Sequence, residues 1–166
     1  INKGTGSSFE FDDEENKISK EAHNKVFEHD FSVSNSEVKT TSSRGKWQSY
    51  FRKNIVLPNY EHRCAITGID TQSLLTAAHI LKWADYKDIR LDPQNGICLS
   101  QLVDKCFENN LIHIDDEYKL VLNKEAKADK QLYKQLKEYE GKKIFLPKNK
   151  NAQPNNEYLK IHREGG

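Results

Sequence analysis

The chain has 166 residues, 36% hydrophobic and 31% charged, which suits one modest domain with polar extensions and cannot supply a large core. Its net charge of +1 hides an asymmetry: residues 1–38 hold nine acidic and four basic side chains, residues 39–166 sixteen acidic and twenty-two basic, so the larger part is net +6, as expected of a nucleic-acid binder. No apolar run approaches the length of a membrane span, Ile1 opens neither a signal sequence nor a basic presequence, and three cysteines without a CxxC pair argue against both a disulfide framework and a zinc knuckle, so a soluble protein of the reducing cytoplasm is expected.

In chain order, residues 1–44 read as a polar, acidic linker or N-terminal extension, with a short helix over 18–27 where Ile18, Ala22 and Val26 recur every four residues. Residues 45–166 form the domain proper. Over 45–57, Trp47, Phe51 and Ile55 repeat at the same spacing and predict a helix with one core-facing stripe, ended by Pro58. Arg52 and Lys53 fall off that stripe, within reach of phosphates. Residues 60–66 are β-prone with Cys64 as a small buried residue, Thr67-Gly68 marks a turn, and 74–80 reads as a strand.

The loop that follows mixes Trp83 and Tyr86 with Lys82, Lys87 and Arg90. It reads equally as a packed loop and as a surface touching a nucleic-acid backbone, with Trp83 on the packing side. Asp92 is a loop-former. Residues 97–99 make a second strand, Ser100 a helix N-cap, and the helix runs to about Asn109. A hairpin over 111–122 is scaffold, with His113 exposed between Ile112 and Ile114. A single helix is predicted over 125–140, stopped by Gly141, and a last helix over 157–164.

Chemistry concentrates between Leu74 and Glu108. His79 closes an apolar run (Leu74, Leu75, Ala77, Ala78), Asn95 sits in the turn-rich Asp92, Pro93, Gln94, Asn95, Gly96, and Asp104 follows nine residues later. An imidazole at a strand end can take a proton from water. Asp104 and Glu108 stand four apart on a helix whose other face (Leu99, Val103, Phe107) is apolar, so their carboxylates point the same way and repel unless a cation sits between them. Oxygen donors beside one histidine suit Mg²⁺ or Mn²⁺ better than a closed zinc site. Such a set suits phosphodiester hydrolysis.

CAITG (64–68), AAHI (77–80), the DPQNG turn and the helix LSQLVDKCFENNLI together resemble the HNH endonuclease family. The resemblance covers roughly 48–121. It implies an α+β fold: a ββα-metal finger, core about 74–109, embedded in a small domain with flanking helices. It further implies that His79 is the general base, that Asn95 orders the loop, and that Asp104 stands where a third histidine is usual. Ala78 takes the place of an acidic metal ligand found in many relatives, its oxygen replaced by Glu108 or water. The implied activity is divalent-metal-dependent cleavage of DNA in restriction or defence, with one Mg²⁺ or Mn²⁺, zinc and nickel being alternatives. Arg52, Lys53, Lys82 and Arg90 are the expected nucleic-acid contacts. The rival reading is a degenerate module that binds nucleic acid without cutting it. The lack of any Met leads us to expect a processed product or a domain cut from a longer protein, with a recognition or sensor domain elsewhere and a homodimer left open.

Overall fold

In the computed structural model residues 42–165 are described. The helix expected over 18–27 and nearly all of the expected linker lie outside them. The described residues form an α+β arrangement of short helices and two small antiparallel sheets.

Helix α1 (Ser42–Tyr50) runs into a π-helical stretch, Phe51–Val56, and then into the short α2 (Leu57–Asn59). The widened turn shows where the simple four-residue spacing fails. Phe51, Val56, Leu57 and Tyr60 are buried, while Ile55 is only partly so and Trp47 is 52% exposed, so Trp47 is not the core residue its spacing suggested. The extra residue in the turn rotates everything before it relative to the core. Nor does Pro58 end the helix. It sits in the first turn of α2, where a missing N–H costs nothing, and the Leu57 amide bonds back five residues to the Arg52 carbonyl.

Residues 60–66, expected to be β-prone, instead turn tightly, with Glu61 and His62 at positive φ (52° and 54°). They still pack beneath the sheet: Cys64 and Ala65 are buried, and the Ala65 amide donates to the Cys98 carbonyl at 2.8 Å. Strand β1 (Leu75–His79) pairs antiparallel with β2 (Gly96–Ser100), setting Ala77 opposite Cys98 and His79 opposite Gly96. Helix α3 (Gln101–Glu108) follows directly. Ser100 occupies the N-cap position but makes no capping hydrogen bond through its side chain. Val103, Cys106 and Phe107 face inward and complete a ββα unit.

Gly96 sets how closely the first helices approach this unit. A Cβ there would lie 2.5 Å from Val56 Cγ2 and 2.7 Å from Phe51 Cζ, so only glycine lets the π-helical turn lie against β2. Beyond α3, β3 (Ile112–Ile114) and β4 (Leu120–Leu122) form the expected hairpin. The single helix expected over 125–140 is two, α4 (Lys124–Ala128) and α5 (Lys130–Leu136), capped by Asn123 and Asp129 respectively. Asp129 is extended at the break, and its carboxylate accepts from the Gln131 and Leu132 amides. A short acidic side chain thus outcompetes the helical hydrogen bond.

Helix α6 (Asn156–Arg163) clamps the ββα unit from its far end. His162 stacks on Phe107 with centroids 3.9 Å apart, and its Nε2 donates to the Phe107 carbonyl at 3.1 Å. Arg163 bonds the Ile114 carbonyl and Asp116. Just before α6 and within it, the Asn155 amide donates to the Gln94 carbonyl and Tyr158 Oη donates to Asp92, tying down the turn that carries Asn95. Among the described residues no helix is long and apolar enough to cross a membrane, and the three cysteines are buried and unpaired.

Candidate active site

His79 ends β1 and is gripped on three sides. Phe51 stacks on its ring at 4.3 Å between centroids, Trp83 meets it edge-on at 5.4 Å, and its Nε2 lies 3.0 Å from the Arg90 carbonyl. A carbonyl can only accept, so Nε2 carries the proton and Nδ1 keeps the lone pair. Nδ1 has no hydrogen-bond partner among the described residues. Burial pushes the His79 pKa below the ordinary histidine value, outweighing the opposing hydrogen bond to Arg90, so the ring is neutral and basic near pH 7.

Asn95 is 1% exposed and fully engaged. Its Oδ1 accepts from the Leu81 amide at 2.8 Å, and its Nδ2 donates to the Leu81 and Ile89 carbonyls. Its own carbonyl accepts from the Ile80 amide. The side chain therefore staples both ends of the loop that carries Trp83 and the Arg90 carbonyl, and its Oδ1 is buried and already held by the Leu81 amide.

Two clefts meet at His79. One, of about 360 Å³, is lined by Gln48, Ala77, Ala78, His79, Lys82, Trp83, Asp104, Lys105 and Glu108 among others. The second, of about 370 Å³, lies between Gln48, Ser49, Arg52, Thr76, Ala77 and His79. The structure thus brings His79, Asp104, Glu108 and Lys82 to one cleft and Arg52 to the adjoining one. Lys53 is exposed and lines neither. Arg52 also holds β1 in place, donating to the Gln72 and Leu75 carbonyls. Arg90 lies over the Trp83 ring and donates to the Trp83 carbonyl. Gln48, Phe51 and Lys105 escaped the sequence reading of the site. Gln48 stands three residues before Phe51, a helical spacing that places it one turn away, but nothing in the sequence says that Phe51 stacks on a histidine.

Asp104 is half-buried, and burial first, then the neighbouring Glu108, push its pKa above the usual carboxylate value, opposed by Lys105. Glu108 is exposed and pairs with Lys105, a pair too solvated to hold it firmly. The described residues contain no group of three His, Cys, Asp or Glu placed to hold a metal ion. Two carboxylates at one cleft, Asp104 with a raised pKa, still fit a hard cation that keeps several waters and takes further oxygens from a phosphate. They do not make a closed zinc site.

Residues 64–115 match the family model described as HNH endonuclease. Over that segment the chain is similar to HNH endonucleases. The matched range begins at Cys64 and takes in both strands, Asn95, the whole of α3 and the hairpin's first strand, with His79 at the end of the first strand of the ββα unit. No curated protein matches the chain. Among solved structures, a modification dependent TagI restriction endonuclease is similar over 66% of this chain and 35% of its own, with 19% sequence identity and a TM-score of 0.43. The chain spans about a third of the length of that enzyme.

Proposed function

We propose that the chain hydrolyses phosphodiester bonds of DNA at the cleft where His79, Asp104 and Glu108 meet, using a divalent cation, Mg²⁺ or Mn²⁺. One observation supports this reading above the others: the Arg90 carbonyl fixes His79 as the Nε2–H tautomer, and His79 lines a cleft that also holds two carboxylates. In that state Nδ1 takes a proton from water as the water oxygen bonds to phosphorus, and the bond to the 3′-oxygen breaks, that oxygen taking its proton from solvent. Trp83 and Phe51 keep the imidazole aimed, and Asn95 keeps the Arg90 carbonyl in place. Asp104, then Glu108, would hold the cation, which when bound supplies positive charge for the phosphate oxygens. Lys82, Lys53, Arg52 and Arg90 supply basic surface around the phosphates.

Domain boundaries at 1–44 and 45–166, a reducing cytoplasmic setting and a role in restriction or defence complete the reading. The test is plasmid cleavage by the dialysed protein. Cleavage should require added Mn²⁺ or Mg²⁺, stop with EDTA and return when metal is restored. Binding of plasmid with no cleavage under any metal would sink the hydrolytic reading in favour of a nucleic-acid-binding module.

A further inference from the structure

Trp47 and Tyr50 are large aromatic residues that the core does not use. They are 52% and 48% exposed, and their rings meet edge-on at 6.1 Å and 80°, one turn apart on α1. Their place in the chain ties them to the site. Trp47 stands four residues, about 6 Å along the helix axis, before Phe51, whose ring stacks on His79. Gln48, the residue next to Trp47, lines both clefts that meet at His79. The electrostatics of this stretch have one sign, since no acidic residue occurs between Glu37 and Glu61 while Arg44, Lys46, Arg52 and Lys53 all do.

We propose that Trp47 and Tyr50 form a stacking site for an unpaired nucleobase of the strand held at His79. The proposal rests on the nuclease reading and sharpens it by naming the form of substrate. An indole and a phenol left in water beside a run of cations match a polyanion that also carries flat apolar rings, and a nucleic acid is that polyanion. The edge-on pairing leaves ring faces open. A base inside a duplex offers only its edges, whereas a single-stranded or extruded base offers a face that can lie on the indole. Because Gln48, next to Trp47 in the helix, lines both clefts, the stacked base belongs to a nucleotide near the scissile phosphate.

The experiment is equilibrium binding of labelled DNA, single-stranded and duplex and about 15 nucleotides long, to the full chain in EDTA, followed by fluorescence anisotropy. Stacking on an aromatic residue is worth about 1–3 kcal/mol per base, so Trp47→Ala should weaken single-strand binding by about 5- to 140-fold. It should leave duplex binding within about two-fold, Tyr50→Ala should act in the same sense, and Trp47→Phe should recover most of the loss. Melting temperature should stay at the parental value, because Trp47 is outside the core. Equal losses on both forms of DNA, or no loss, would overturn the proposal. So would a change in oligomeric state with both affinities intact, which would make the pair a contact between copies, or a parental protein that binds neither DNA. Parallel plasmid cleavage with Mn²⁺ separates the two readings. Cleavage by the parent with Trp47-independent binding sinks only the stacking site, while Trp47-dependent binding without cleavage sinks only hydrolysis.

Discussion

At the scale of single residues, the proposed mechanism assigns the base to His79, and Gly96 sets how closely the ring beneath it can pack. Removing the imidazole by His79→Ala should lower the plasmid cleavage rate by about 100- to 10,000-fold, the range for loss of a general base. Far-UV circular dichroism and DNA affinity should be little changed. A variant that cuts at the parental rate would make His79 structural. Gly96→Ala acts indirectly: its methyl would meet Val56 and Phe51, both buried. Overpacking of this kind costs about 1–3 kcal/mol, and the ring forced aside is the one stacked on His79. Both a lower denaturation midpoint and slower cleavage are expected, and a midpoint equal to the parent's would show that the turn yields without cost.

At the scale of elements, the ββα unit was legible because its signals are local and agree. β1 ends in a histidine, a Pro-and-Asn turn precedes a short apolar strand, and α3 has one apolar stripe. The π-helical turn was not legible, since a repeat of four residues looks the same until one more residue is inserted, and Val56 rather than Ile55 reaches the core for that reason. The helix over 125–140 broke at Asp129, whose carboxylate satisfies two amides of α5 and so favours a new start over continuation. That claim can be checked. Asp129→Ala removes the cap and should cost about 1 kcal/mol, read as a shift in urea midpoint at unchanged slope; an unchanged midpoint would mean that packing of Leu136 alone sets the boundary. Of the site itself, the residue types could be read in advance, but the grip of Phe51, Trp83 and the Arg90 carbonyl on His79 could not, because each arrives from a different part of the chain.

For the whole molecule, pH links the site to the C-terminal clamp. Burial lowers the pKa of both His79 and His162 in the folded state. Above about pH 6.5, the ordinary histidine value, both rings are neutral whether the chain is folded or not, and they make no demand. As pH falls below that value the unfolded chain takes up protons first, so stability declines until the depressed folded-state values are passed. Asp104 runs the other way. Its raised pKa favours the folded protein below the unfolded carboxylate range, and that benefit is lost as pH rises through the folded value. The expected profile is a melting temperature that drops between pH 7 and pH 5. His162→Gln should flatten part of that drop, and a drop of parental steepness in this variant would remove His162 from the account.

The buried thiols lend themselves to a practical use. Cys64, Cys98 and Cys106 are sealed in the core, and burial pushes the Cys98 thiol up to about 12 and raises that of Cys106. A maleimide should therefore pass the native chain by. A single cysteine introduced at Gln48 or Lys53 would then be the one labelled position, and a photoactivatable crosslinker attached there could trace the path of a bound strand past His79 without first stripping the protein of its own cysteines.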